Sequence, residues 1–214
     1  MDPSTDVESR VSPRAGWRRL ALAVARVGAG VVSALALGLG SLYFAVRPGV
    51  ARGEVTNGPW HTSLVVGSAS ADLYTRARVS LDLLLSLNTT EMLYFTAVSD
   101  SEGRPFDARC AYRIEGGELP ARWWSVTSYG RNGFLIPNEA GLYSVSQSSI
   151  VRAVDGSWRA QLSCDRQPGN WLPAGRPSAA GPFTLTLRLF DPQPVAIESP
   201  SSIDLPRIVR EACS

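Results

Sequence analysis

The chain has 214 residues, 44% of them hydrophobic, and a formal net charge of +2. All 21 basic residues are arginine, so a P-loop lysine and a Ser–Lys nucleophile pair are both excluded. From residue 50 onward 15 arginines meet 16 carboxylates, a balance that leaves no basic footprint for nucleic acid.

The head, residues 1–26, carries Arg10, Arg14, Arg18, Arg19 and Arg26. The next 20 residues, Val27 to Val46, contain no charge. As a helix rising about 1.5 Å per residue they measure roughly 30 Å, the thickness of a bilayer's hydrocarbon core. Only Arg47 and Arg52 follow closely. The positive-inside rule then predicts a cytoplasmic head, a transmembrane helix over 27–46, and residues 47–214 outside, with Tyr43 and Phe44 at the outer interface. A cleaved signal peptide is the rival reading. Its apolar core runs only about 7–15 residues, and Gly49-Val50-Ala51 is a weak cleavage motif. Gly30, Ala34 and Gly38 share one helical face at a spacing that permits a homodimer through the span, although small residues are also ordinary filler there.

Residues 47–70 read as a juxtamembrane segment with one apolar run, Leu64 to Val66. Residues 71–88 read as a helix, with Leu73, Tyr74, Ala77, Leu81, Leu84 and Leu85 on one face. From Glu91 onward the pattern becomes that of strands. Met92 to Val98 precedes a turn, Ala111 to Ile114 ends at Gly116-Gly117, and Trp123 to Tyr129 runs into Asn132-Gly133. Asn-Gly signals a hairpin, with Phe134 to Ile136 as the return strand. Leu142 to Ser146 is a further short run. Ser149 to Val154 and Ser157 to Ser163 flank Asp155-Gly156 as a second hairpin. Phe183 to Phe190 alternates apolar with polar residues, the mark of a strand with one buried face. Ile203 to Val209 adds an edge strand. Short strands with glycine-rich turns predict a mainly β domain over 71–214, an antiparallel β-sandwich or jelly roll with one preceding helix.

The residue inventory limits the chemistry. His61 is the single histidine, which rules out a multi-histidine metal site and strains a histidine-based triad; it reads as a surface residue. No cofactor or metal motif is present. Glu91, Asp100, Glu102, Asp107, Glu139 and Asp165 can in principle include an acid–base pair as in glycosidases. Most lie in turn signals, where solvated carboxylates are ordinary. Cys110, Cys164 and Cys213 lack zinc or redox spacing. One disulfide is expected, joining Cys164 to Cys110 or Cys213, with one thiol left over. Trp123 and Trp124 are adjacent, so in a strand they face opposite sides of the sheet. Trp171 follows Pro168-Gly169-Asn170 and reads as a loop residue, either a plug at the end of the sandwich or a stacking platform for a sugar.

Three segments carry a resemblance: Arg122-Trp123-Trp124-Ser125-Val126-Thr127-Ser128-Tyr129 with Asn132 to Asn138; Asn170-Trp171-Leu172-Pro173-Ala174; and Gly181-Pro182-Phe183-Thr184-Leu185-Thr186-Leu187-Arg188-Leu189-Phe190. With Tyr74-Thr75-Arg76-Ala77 and Glu91-Met92-Leu93-Tyr94 upstream, residues 58–213 resemble the bacterial envelope family known as domain of unknown function 1214. Leu142-Tyr143-Ser144 departs from that family's usual Arg-Tyr-Ser. The resemblance implies a jelly-roll-like domain in a short form with a single N-terminal anchor, and it implies no reaction.

The reading that follows is a single-pass inner-membrane protein of a bacterium. It presents a periplasmic β-sandwich that binds a glycan, a lipid or another envelope protein. The residues for that role are Tyr129, Asn138, Tyr143, Asn170, Trp171 and Arg188: Trp171 to stack, Asn138 and Asn170 to hydrogen-bond, Arg188 to pair with a carboxylate or phosphate. The opposing reading has Asn170 and Arg188 merely tying the Trp171 loop to the sheet. The alternative function is a carboxylate-dependent hydrolase or lyase acting on envelope carbohydrate.

Overall fold

A computed structural model describes residues 13–46, 54–68, 70–81, 87–130, 132–174 and 182–213. The chain divides into two units, residues 1–47 and 48–214.

The first unit is one helix, α1 (Pro13–Val46). Proline suits the first turn, where its missing N–H goes unused. Its most apolar stretch, Trp17–Phe44, is 28 residues long with mean hydropathy 2.0. The helix therefore extends well upstream of the uncharged run and carries Arg18, Arg19 and Arg26 within it. Leu20, Val31, Leu35 and Leu39 are all more than half exposed. Such a surface is costly in water and suits hydrocarbon. By length and composition the helix can cross a membrane, a property that anchors and signal sequences share.

The second unit begins its sheet earlier than residue 71. The stretch read as juxtamembrane supplies β1 (Glu54–Asn57) and β2 (Trp60–Ser63), joined across Gly58, whose φ of 58° suits a residue without a side chain. Next come α2 (Leu73–Leu81), β3 (Met92–Ala97), β4 (Cys110–Gly116), β5 (Ala121–Tyr129), β6 (Ser144–Ser146), β7 (Trp158–Ser163), β8 (Trp171–Pro173), β9 (Thr184–Pro192), α3 (Pro194–Glu198) and β10 (Arg207–Cys213). Asp72 caps α2 by accepting the Thr75 N–H at 2.8 Å. Leu73, expected on the apolar face, is instead exposed, and Leu84 and Leu85 lie outside the described residues.

Two sheets result. One has the order β1-β2-β3-β9-β5-β6 and the other β10-β4-β7-β8. Every pairing is antiparallel except β7 with β8. The sheets share one core. Leu93, Phe95, Trp124, Val126, Leu185, Leu187 and Leu189 come from the first; Tyr112, Ile114, Trp158, Leu162 and Leu172 come from the second. Trp124 stacks on Trp158 across the gap at 4.8 Å, so the expected mainly β sandwich is present.

Several expected strands differ. Phe134 to Ile136 forms no return strand. Asn132 accepts the Phe134 N–H at 3.2 Å, Gly130 pairs with Phe134, and only Tyr129 and Leu135 bridge. β6 takes that edge of β5 instead. The Asp155-Gly156 turn forms, yet only Arg152 and Trp158 bridge across it, because the Asn170 amide takes both the N–H and the carbonyl of Val151. Trp171 lies on a strand, not a loop, and is buried.

Candidate functional site

The alternation in β3, β5 and β9 that buries leucines on one face sets a different row on the other. Across the outer face of the six-stranded sheet, Thr56, His61, Thr96, Thr186, Thr127 and Ser144 stand in register. In the neighbouring row Tyr94, Arg188, Ser125 and Ser146 align. Arg188 thus sits on β9, near the middle of the sheet, among hydroxyls and aromatic rings.

Its guanidinium donates to Thr127 Oγ1 at 3.2 Å and to the Tyr129 hydroxyl at 2.6 Å. It lies 5.8 Å from the centre of the Tyr94 ring and 5.4 Å from that of Tyr129. Arginine stays charged and carries five N–H donors in a fixed fork, and among the described residues two hydroxyls accept from them. Among the described residues no carboxylate pairs with Arg188. The outer face of the four-stranded sheet is built differently. There Arg113 reaches Glu115 at 3.3 Å and Glu211 at 3.2 Å, and Arg159 reaches Glu115 at 3.6 Å. Those charges neutralise one another in an ordinary exposed network.

The sequence-predicted site residues do not converge on one place. Tyr129 and Arg188 do meet. Asn138 braces the loop before β6, bonding the Ile136 carbonyl at 3.1 Å, the Leu142 carbonyl at 2.7 Å and the Leu142 N–H at 3.1 Å. Tyr143, in the same loop, is 38% exposed. Asn170 and Trp171 belong to the other sheet. Asn170 holds Val151 and the Arg159 carbonyl, each at 2.8 Å. Trp171 donates to Ser163 Oγ at 3.1 Å. A buried indole tied to its neighbouring strand is a packing group, not a platform. Tyr94 and Thr127 were missed, although both occupy outward positions of alternating strands, two residues from Met92 and Tyr129.

The carboxylates are mostly engaged. Glu54 meets His61 at 3.3 Å, Asp107 meets Arg109 at 2.6 Å, Asp191 meets Arg122 at 3.2 Å and Glu118 meets Arg152 at 3.5 Å. Hydrogen bonds from the Arg109 side chain and backbone pull the Asp107 carboxyl down to about 2. Asp100, read as a solvated turn residue, is buried. It accepts the N–H groups of Glu102 at 3.0 Å and Arg104 at 2.9 Å, and the Arg104 guanidinium at 2.7 Å. Arg210 approaches to 3.5 Å. Burial by itself raises this carboxyl, but the bonds from Arg104 and Glu102 outweigh it and hold it below its ordinary value. No group of three or more His, Cys, Asp or Glu able to hold a metal ion occurs among the described residues.

The disulfide also differs from expectation. Cys213 on β10 stands opposite Cys110 on β4, the two are bonded, and Cys164 is the free thiol. The pairing follows from strand register, which spacing along the chain does not reveal.

These features define a sandwich-like β domain preceded in the chain by an apolar helix of membrane-spanning length. Residues 91–194 match the sequence model of the family described as "Protein of unknown function (DUF1214)". No curated protein matches the chain. Among solved structures, the chain is similar to the VPA0106 protein of Vibrio parahaemolyticus, at 22% identity and a TM-score of 0.55. The match covers 67% of this chain and 36% of that one, and it supports the fold. An uncharacterised protein of Burkholderia cenocepacia aligns at 19% identity and a TM-score of 0.40, over 58% of this chain and 30% of that one. The chain thus spans about a third of the length of either structure.

Proposed function

We propose that this is a single-pass inner-membrane protein whose periplasmic β domain binds an acidic envelope component, on a glycan, a lipid or another protein, at the outer face of the six-stranded sheet. One observation carries the reading. Arg188 is half-buried near the middle of that sheet, is framed by two tyrosine rings, and among the described residues has no carboxylate partner. A bidentate carboxylate or phosphate matches the donors that no described residue takes, and charge-assisted bonds of that kind are about twice as strong as neutral ones. Tyr94 and Tyr129 supply aromatic surface around the acid group, and the buried Thr127 hydroxyl fixes the guanidinium from behind.

The arginines that precede the uncharged run, Arg10 and then Arg14, Arg18, Arg19 and Arg26 in the first half of α1, support a cytoplasmic N-terminus. The Cys110–Cys213 bridge supports an oxidising compartment for the domain.

The test is a binding screen of glycans and lipids, each as an acidic and neutral pair, against the full chain in detergent. Binding of the acidic members with loss in Arg188→Gln supports the reading. Equal binding of acidic and neutral members, or binding indifferent to Arg188→Gln, overturns it.

A further inference from the structure

The three cysteines, scattered in sequence, converge at one end of the four-stranded sheet. In the β4–β7 ladder Tyr112 stands opposite Leu162. That ladder ends there: Cys110 lies two residues before Tyr112 on β4, and Cys164 lies two residues after Leu162, just past the end of β7. On the other side of β4, Cys213 of β10 is bonded to Cys110. Cys110 therefore stands on the middle strand, with its bonded partner on one flank and the end of β7, which leads into Cys164, on the other. The Cys164 thiol lies against this strand, donating to the Ala108 carbonyl at 3.3 Å. The C-terminal end of β10 is irregular, its register shifting between Arg210 and Cys213, so the disulfide pins a segment that backbone pairing holds incompletely.

We propose that Cys164 is a resident exchange partner for the Cys110–Cys213 disulfide, making the bridge a latch on the C-terminal strand that can be moved to Cys110–Cys164. The Cys164 thiolate attacks the sulfur of Cys110. A Cys110–Cys164 bond forms, the Cys110–Cys213 bond breaks, and Cys213 leaves as a thiolate that takes up the proton Cys164 released. One thiol and one disulfide exist before and after, so no outside oxidant or reductant is consumed. The central cysteine is the one attacked because its strand, β4, lies between the two that lead to the others. Cys213 is exposed, so the released end is free to leave the sheet. Burial and the neighbouring charge of Asp165 hold the Cys164 thiol above its ordinary range, which keeps it protonated and the attack slow at neutral pH. The proposal is independent of the anion-binding role of Arg188.

The test uses the wild-type full chain in detergent. The protein is incubated under native conditions in mild alkali, quenched with acid at intervals, labelled with N-ethylmaleimide, and mapped by mass spectrometry without reduction. The expected result is one label per molecule throughout, with a growing population labelled at Cys213 and bridged Cys110–Cys164. Label confined to Cys164 at every time point overturns the proposal. A second arm treats Cys213→Ser with oxidised glutathione. A Cys110–Cys164 bridge supports the latch, whereas glutathione on Cys110 and Cys164 separately counts against it.

Discussion

Removing the Asp100 carboxylate should be the most damaging single change to the loop between β3 and β4. Asp100 accepts two backbone N–H groups and a guanidinium, with a second guanidinium at 3.5 Å. Arg104 is 44% exposed and can turn to water, but Arg210 is only 20% exposed, lying over the Tyr112 ring at 5.5 Å. Asp100→Ala therefore loses two amide bonds at about 1 kcal/mol each and leaves a largely buried guanidinium without its carboxylate. Together these sum to about 3–5 kcal/mol, the range for breaking a buried ion pair from one side. For a domain of this size that is a fall in Tm of roughly 10 °C. Thermal unfolding of the full chain in detergent, followed by tryptophan fluorescence, reads it directly. Asp100→Asn should lose about half as much, since its remaining oxygen still accepts the amides. A fall of less than about 2 °C for Asp100→Ala would show that the carboxylate does not hold the loop, and would refute the reasoning.

The same carboxyl sets an acid limb. Its folded-state pKa lies below the ordinary 3.8, so its stabilisation is fully present above that value and is lost as pH falls through the lowered one. Urea midpoints measured from pH 7 down to pH 2 should therefore drop more steeply for wild type than for Asp100→Asn. Asn170→Ala should cost about 2–3 kcal/mol in the same assay, because three hydrogen bonds to Val151 and Arg159 disappear together. At Gly116 an added methyl would stand 2.9 Å from the buried Trp158 ring, so Gly116→Ala should destabilise by about 1–3 kcal/mol and perturb the near-ultraviolet circular dichroism of the Trp124–Trp158 pair. Alkaline phosphatase fused after Ser214 should be active if the domain is periplasmic; activity from a cytoplasmic reporter at that position would reverse the orientation.

Period-two alternation announces β9, whose leucines all enter the core, whereas β3 and β5 are legible only as β-rich runs, because on β5 Ser125 and Thr127 of the opposite face are buried as well. β8 gives no such signal. It is three residues long, all of them buried, and its parallel pairing needs no hairpin turn. β1 and β2 hide in a polar stretch around Gly58-Pro59, where only Trp60 and Thr62 turn inward. The failed hairpins share a cause. Asn132 and Asn170 use side-chain amides to satisfy backbone groups that strands would otherwise pair, and sequence pattern does not register that competition. The Arg210 contact to buried Asp100 and the choice of Cys213 for Cys110 both join elements about a hundred residues apart in the chain. At the candidate site, Tyr129 and Arg188 were visible from residue type, whereas Tyr94 and Thr127 emerge only once register aligns β3, β5 and β9.

The account rests most heavily on Arg188 as the receptor for an acid group. Isothermal titration of the full chain with phosphatidylglycerol vesicles and with uronic-acid oligosaccharides, for wild type, Arg188→Lys and Arg188→Gln, tests it directly. A charge-assisted contact of about 1.5–3 kcal/mol predicts that Arg188→Gln binds one of these acidic probes at least about tenfold more weakly than wild type, with Arg188→Lys between them. Equal affinity of wild type and Arg188→Gln for every acidic probe that binds would contradict the account.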